Sequence, residues 1–95
     1  MERNPFVELS DDTTITYSDL KTKNNGDKYV TLYFETPSEK HGFYSMDIDY
    51  PGGMPRNVIG YSSEDIERLL YHYNKLGDLA LDEAVKEAKG EHVYA

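Results

Sequence analysis

The amino-acid sequence predicts an α+β fold, in which an antiparallel three- to four-stranded β-meander is followed by two α-helices packed on one face. The middle of the chain alternates apolar and polar residues at a period of two, which is typical of half-buried strands. The last third repeats apolar residues at helical spacing. Because the strands precede the helices instead of alternating with them, the order favours α+β over a parallel α/β arrangement.

The chain is expected to form a single domain. It has 95 residues, with 18 Asp+Glu against 10 Lys+Arg, a formal net charge of −8 and no cysteine. A chain of this length buries one modest core. The pattern divides it into a lead segment at 1–11, a sheet at 12–61, a helical part at 62–90 and a tail at 91–95.

The first strand is expected at 13–23, where β-branched residues are frequent. Asn25-Gly26 follows, and this dipeptide is a strong hairpin signal. A three-residue loop at 24–26 would place Tyr17 on the solvent side of the sheet. A two-residue loop would turn the same ring toward the core, and the sequence leaves both registers open.

The central hairpin is expected to join strands at 28–36 and 42–50, and the 37–41 loop is expected to place Thr36 opposite Gly42. A short fourth strand is expected at 57–61, after a Pro-Gly-rich turn. The core side of the hairpin should consist of Val30, Leu32, Phe34, Tyr44, Met46 and Ile48.

The first helix is expected to begin at Ser62, because serine is a favoured N-cap and acidic residues follow in the first turn. Gly77 is expected to end this helix as a left-handed cap residue. A second helix should then run to Gly90. The two apolar stripes consist of Ile66, Leu69, Leu70 and Tyr73, and of Leu81, Ala84, Val85 and Ala88.

The side of the hairpin opposite the core predicts a binding surface, because it combines aromatic rings with carboxylates. Rings on an uncovered sheet face are typical of protein interfaces. The alternative is that the protein covers these rings itself, with the lead segment (Phe6, Val7 and Leu9) or the tail (Tyr94). The candidate binding residues are Tyr29, Tyr33, Phe43, Glu35, Asp47 and Asp49.

The sequence indicates no catalytic residue, cofactor site or metal site. The absence of cysteine excludes thiol nucleophiles and cysteine zinc sites, and no phosphate-binding glycine motif, HExxH or GxSxG pattern occurs. The acidic balance argues against nucleic acid as a partner. No apolar run is long enough to span a membrane, and the lack of cysteine and of a signal-peptide pattern predicts a cytoplasmic protein.

Gly42-Phe43-Tyr44 at the start of a strand, Pro51-Gly52 after it and the serine-capped helix form a pattern within 29–73. This stretch loosely resembles the small β-β-β-α antitoxins of the HicB family. The resemblance implies an antitoxin component. The segment 53–56 and the extra N-terminal strand depart from the family pattern.

Charge and the aromatic face together predict a small acidic, non-catalytic protein-interaction module, such as an inhibitor or regulator of a partner protein with a basic surface. One alternative is a small enzyme or cation-dependent binder that uses Asp47, Asp49 and Glu35. Another is a homodimer that forms through the same face.

Overall fold

The computed structural model describes residues 3–40 and 42–90, which contain six antiparallel strands and one helix. The sheet order is β1-β2-β4-β5-β6, and the short β3 pairs with β4. The bounds are Arg3–Glu8 for β1, Thr14–Ser18 for β2, Lys21–Thr22 for β3, Lys28–Ser38 for β4, Gly42–Tyr50 for β5, Arg56–Ile59 for β6 and Ser63–Ala88 for α1.

The prediction of a meander with two helices is wrong, because one continuous helix occupies Ser63–Ala88. Gly77 does not end it. The glycine is buried inside the helix, and the ring of Tyr50 packs against its backbone where a Cβ atom would stand. The buried stripe therefore runs through Leu69, Tyr73, Gly77, Ala80 and Ala84 without a break.

The lead segment forms the edge strand β1 and pairs with β2, so the sheet extends beyond the predicted 12–61. Pro5 is compatible with this position because an edge strand has one side free of ladder hydrogen bonds. A register shift between Pro5 and Val7 accompanies it. The ring of Phe6 meets that of Tyr17 edge-on, with 5.5 Å between centroids.

The expected first strand is divided into β2 and β3. Near the turn, Thr22 pairs with Lys28, which is the register of the three-residue loop. Beyond Asp19 and Leu20 the register slips by one residue, so that Tyr17 lies opposite Leu32 on the core side. Neither of the two expected registers therefore holds along the whole strand.

The central hairpin is shifted by two residues from its predicted register. Ser38, not Thr36, lies opposite Gly42, because β4 continues through Pro37. An even shift leaves every side chain on the same face. The predicted core side is confirmed for five of its members, since Val30, Leu32, Phe34, Met46 and Ile48 are fully buried.

Helix α1 covers this core side and begins with the predicted serine cap. The Ser62 hydroxyl accepts a hydrogen bond from the Asp65 amide at 3.1 Å, and the Asp65 carboxylate accepts one from the Ser62 amide at 3.1 Å. Within the described residues, no helix combines the length and apolarity needed to cross a membrane. The tail at 91–95, with Tyr94, lies outside the described residues.

Candidate binding surface on the uncovered face of the sheet

The sheet face that α1 leaves uncovered, called the outer face below, carries all six predicted binding residues. Side chains alternate along paired strands, so the residues between the buried positions point to this side. β4 contributes Tyr29, Tyr33 and Glu35, and β5 contributes Phe43, Asp47 and Asp49. The structure thus brings the six residues onto one surface, spread along the length of the central hairpin.

Tyr33 is not the exposed ring that the sequence predicted, because only 6% of the residue is accessible. The guanidinium of Arg3 on β1 lies 4.0 Å from the ring centroid and also reaches the Glu35 carboxylate at 3.3 Å. Burial raises the pKa of the Tyr33 hydroxyl above its ordinary value. The lead segment therefore does cover this ring, but it does so through Arg3.

The apolar residues of the lead segment do not lie on the rings of the outer face. Phe6, Val7 and Leu9 pack against the core instead. The alternative prediction that these three apolar side chains cover the rings is therefore wrong. Tyr94, which was also considered as a cover for the rings, lies outside the described residues.

The carboxylates of the outer face are held by neighbouring side chains. Asp49 accepts a hydrogen bond from the Thr31 hydroxyl at 2.7 Å and forms an ion pair with Arg56 at 2.9 Å. Burial acts to raise the pKa of Asp49, but the hydrogen bonds from Arg56 and Thr31 outweigh it and lower the pKa overall. Asp47 accepts a hydrogen bond from the Asn57 amide at 3.1 Å.

Two lysines flank Tyr29 at the other end of the hairpin. The ammonium groups of Lys21 and Lys23 lie 5.6 and 5.7 Å from the ring centroid. Lys21 also donates a hydrogen bond to the Thr31 hydroxyl at 2.8 Å. Among residues 3–40 and 42–90, neither lysine forms an ion pair with a carboxylate. Lys21 nevertheless acts on a carboxylate through its charge, because it helps to lower the pKa of Asp49.

Phe43 and Ile59 form an exposed apolar patch near the turn between β4 and β5. They are 56% and 57% accessible. Ile59 pairs with Ser45, which lies two positions from Phe43 on the same face, and Pro37 lies opposite Phe43. Residues in such diagonal positions are close enough for large side chains to interact. The Phe43–Ile59 patch is therefore a continuous part of the outer face.

Charges on the outer face nearly balance, contrary to the acidic face that the sequence predicted. The four cations lie on β1, on and just after β3, and on β6, and the sequence did not establish how these strands pair. They are Arg3, Lys21, Lys23 and Arg56, and the carboxylates are Glu8, Glu35, Asp47 and Asp49.

Half of the acidic surplus of the protein lies on α1. This helix has seven acidic residues against three basic ones, a difference of four out of the total surplus of eight. The acidic residues are Glu64, Asp65, Glu67, Asp78, Asp82, Glu83 and Glu87, and the basic residues are Arg68, Lys75 and Lys86.

Sequence reasoning missed Arg3, Lys21, Arg56 and Ile59 as members of this surface. For Lys21 a signal was available, because the three-residue loop already pairs it with Tyr29. Arg3 and Ile59 had no local signal, since β1 and β6 owe their positions to partners far along the chain.

No group of three or more His, Cys, Asp or Glu residues in the described part of the chain is placed to hold a metal ion. Compared with protein families, curated proteins and solved structures, the chain matches none significantly. The resemblance of 29–73 to HicB antitoxins is thus not accompanied by a family match, and functional arguments depend on the outer face itself.

Proposed function

We propose that the protein is a small acidic, non-catalytic interaction module that acts in the cytoplasm and regulates a partner protein bound to its outer face. The observation that carries this proposal is the Phe43–Ile59 patch, which lies on a sheet face that α1 does not cover. Large apolar residues that are adjacent and exposed are typical of contact sites. Aromatic side chains in particular serve as anchors that contribute most of the binding energy.

The surroundings of the patch support a protein partner. Carboxylates and cations that are already paired, such as Asp49 with Arg56, give the polar rim that surrounds the apolar centre of many interfaces. The net charge of −8 favours an approaching partner with a basic surface, because the field of the whole protein steers association at long range. The proposed partner is thus basic overall, and its direct contact is with an apolar and locally balanced surface.

Two alternatives use the same residues. A cation-dependent site at Asp47, Asp49 and Glu35 is less well supported, because their carboxylates bind Asn57, Arg56 and Arg3 instead of converging. A second copy of the chain could occupy the Phe43–Ile59 patch in place of another protein. A second copy would double the mass of the purified protein in solution, whereas another partner protein would leave that mass unchanged.

The test compares Phe43→Ser with Leu79→Ser. Leu79 on α1 is 56% accessible, the same as Phe43, and so provides a matched control on the opposite side of the molecule. Each variant is used to capture proteins from extracts of the native host, and the captured proteins are quantified by mass spectrometry. Sedimentation of the purified variants measures self-association, and urea unfolding shows whether stability is preserved.

We expect a partner that is retained by the parent and by Leu79→Ser and is lost with Phe43→Ser. Truncation of an aromatic anchor weakens binding by about 2 kcal/mol or more, roughly thirtyfold. Loss of a dimer in Phe43→Ser would identify the second copy as the occupant. If Phe43→Ser changed neither capture nor mass, the outer face would not be the contact surface.

A further inference from the structure

The outer face has two chemically different ends. At one end lies the Phe43–Ile59 patch with Pro37. At the other end lies the Lys21–Lys23–Tyr29 corner, in which two ammonium groups lie beside one ring. Tyr29 precedes Pro37 by eight positions on β4, which at about 3.4 Å per residue of an antiparallel strand separates the two ends by roughly 27 Å.

We propose that the outer face recognises a partner segment with an apolar side chain at one end and carboxylates at the other, so that the carboxylates meet Lys21 and Lys23. This inference rests on the proposed function and specifies the chemistry of the contact. The proposed partner is still basic overall. At this corner, however, the segment that makes the contact carries acidic groups.

The cations of the outer face differ in whether a carboxylate already pairs with them. Arg3 and Arg56 are engaged by Glu35 and Asp49 at 3.3 and 2.9 Å. Lys21 donates to the Thr31 hydroxyl and also acts on Asp49 through its charge, and the Lys23 ammonium lies beside the Tyr29 ring. Within residues 3–40 and 42–90, neither ammonium group forms an ion pair. Unpaired ammonium groups fixed beside an aromatic ring complement a carboxylate, and they give a basic partner nothing to pair with.

The acidic surplus of α1 does not cancel this corner. The helix packs on the core side of the sheet, so its exposed charges lie on the opposite side of the molecule from this corner. At physiological ionic strength exposed charges are screened over about 8 Å. A carboxylate in contact with Lys21 and Lys23 therefore interacts mainly with these two ammonium groups.

The length of the surface limits the segment that can reach both ends. About eight extended residues span 27 Å, and so do about 18 residues of α-helix. In the central part of the face, Arg3 covers the Tyr33 ring and is itself paired with Glu35. Specific contacts are therefore expected at the two ends.

The experiment uses two fluorescein-labelled peptides of about nine residues. Both have two leucines at one end and a spacer of about four Ser and Gly residues, and they differ in ending with three glutamates or three lysines. Binding to the full chain is measured by fluorescence anisotropy at low and at physiological salt. The proteins compared are the parent, Lys21→Gln/Lys23→Gln and Phe43→Ser.

Lys75→Gln is the matched control, because the Lys75 ammonium lies 5.4 Å from the Tyr71 ring centroid on α1. This lysine reproduces the lysine–tyrosine contact away from the outer face. Glutamine keeps a hydrogen-bond donor for the Thr31 hydroxyl, and urea unfolding shows whether the double variant is folded.

We expect the glutamate peptide to bind the parent more tightly than the lysine peptide. Lys21→Gln/Lys23→Gln should weaken the glutamate peptide by about three- to tenfold, since exposed ion pairs contribute up to about 1 kcal/mol each. Lys75→Gln should leave binding unchanged. Phe43→Ser should weaken both peptides.

Several outcomes would overturn the inference. Tighter binding of the lysine peptide would do so, as would an equal loss in Lys75→Gln. If Phe43→Ser weakened both peptides while the double lysine variant weakened neither, the proposed contact surface would stand and the acidic segment would be rejected. If neither substitution mattered, both proposals would fail for this face.

Discussion

Asp49 is the residue of the outer face that most clearly couples stability to pH. Its side chain is 27% accessible, and Arg56 and Thr31 donate hydrogen bonds to its two oxygens. These bonds keep its pKa below the ordinary value of 3.8, against the opposing effect of burial. A carboxyl whose pKa is lowered on folding stabilises the protein above its unfolded-state pKa, and this contribution disappears as pH falls through the lowered pKa.

Asp49→Asn should therefore lower the free energy of unfolding most at pH 5 and above. The gap between parent and variant should begin to close as pH falls below about 3.8, and it should be fully closed below the lowered pKa of Asp49, where both proteins have an uncharged group at this position. Urea unfolding followed by circular dichroism between pH 7 and pH 2.5 measures the gap. A gap that stayed constant over this range would contradict the assigned role of the carboxylate.

At the residue scale, local features were predictable and distant contacts were not. The cap at Ser62 depends on an acidic residue three positions later, and both are visible in the sequence. The cover over Tyr33 depends on Arg3, which is 30 positions away and reaches the ring only because β1 pairs with β2. The sequence therefore placed the rings of the candidate site on the correct face of the sheet. It could not show which of these rings are exposed.

At the scale of elements, the main error concerned one glycine. A glycine at the end of an apolar stripe is a common helix terminator, and Gly77 follows Leu76 in this way. Inside α1 it has a different role, because the Tyr50 ring occupies the space of a Cβ atom. The Tyr50 hydroxyl also donates a hydrogen bond to Asp78, the next residue of the helix. Only the packing of β5 against α1 distinguishes the two roles.

Gly77→Ala should destabilise the protein by about 1–3 kcal/mol, because the added methyl group must displace the Tyr50 ring. This loss runs against helix propensity, which favours alanine over glycine by about 1 kcal/mol. Asn74→Ala is the control, since Asn74 is exposed on the same helix and should be neutral or slightly stabilising. The urea midpoints of the two variants measure the difference.

The same substitution in a Tyr50→Ala background distinguishes packing from propensity. Without the ring, the cost of Gly77→Ala should shrink or reverse, because two residues in contact are energetically coupled. An equal cost in both backgrounds would mean that the helix needs glycine for a reason other than Tyr50.

At the scale of the whole molecule, the sequence predicted the core side of the hairpin and the order of strands before helix. It did not predict that β1 would extend the sheet or that half of the acidic surplus would lie on α1. Strand faces follow from a period of two and survive a register shift of two residues. The distribution of charge between the two sides depends on every strand and on the helix at once, which is why it became visible only in the folded chain.

The sheet and α1 should unfold together, because each buries its apolar side against the other. Leu32 and Ile48 on the sheet and Leu69 on the helix are all fully buried in one core. In proteins, most of the stability of a helix comes from packing of its apolar face and not from helix propensity. Leu32→Ala should lower the free energy of unfolding by about 2–5 kcal/mol, because it removes buried methyl groups and leaves a cavity. Far-ultraviolet circular dichroism follows the unfolding of α1, and near-ultraviolet circular dichroism follows the packing of the tyrosines. The two urea transitions should coincide in the parent and should shift equally in the variant. A helix signal that persisted after the tyrosine signal was lost would show that α1 does not depend on this core.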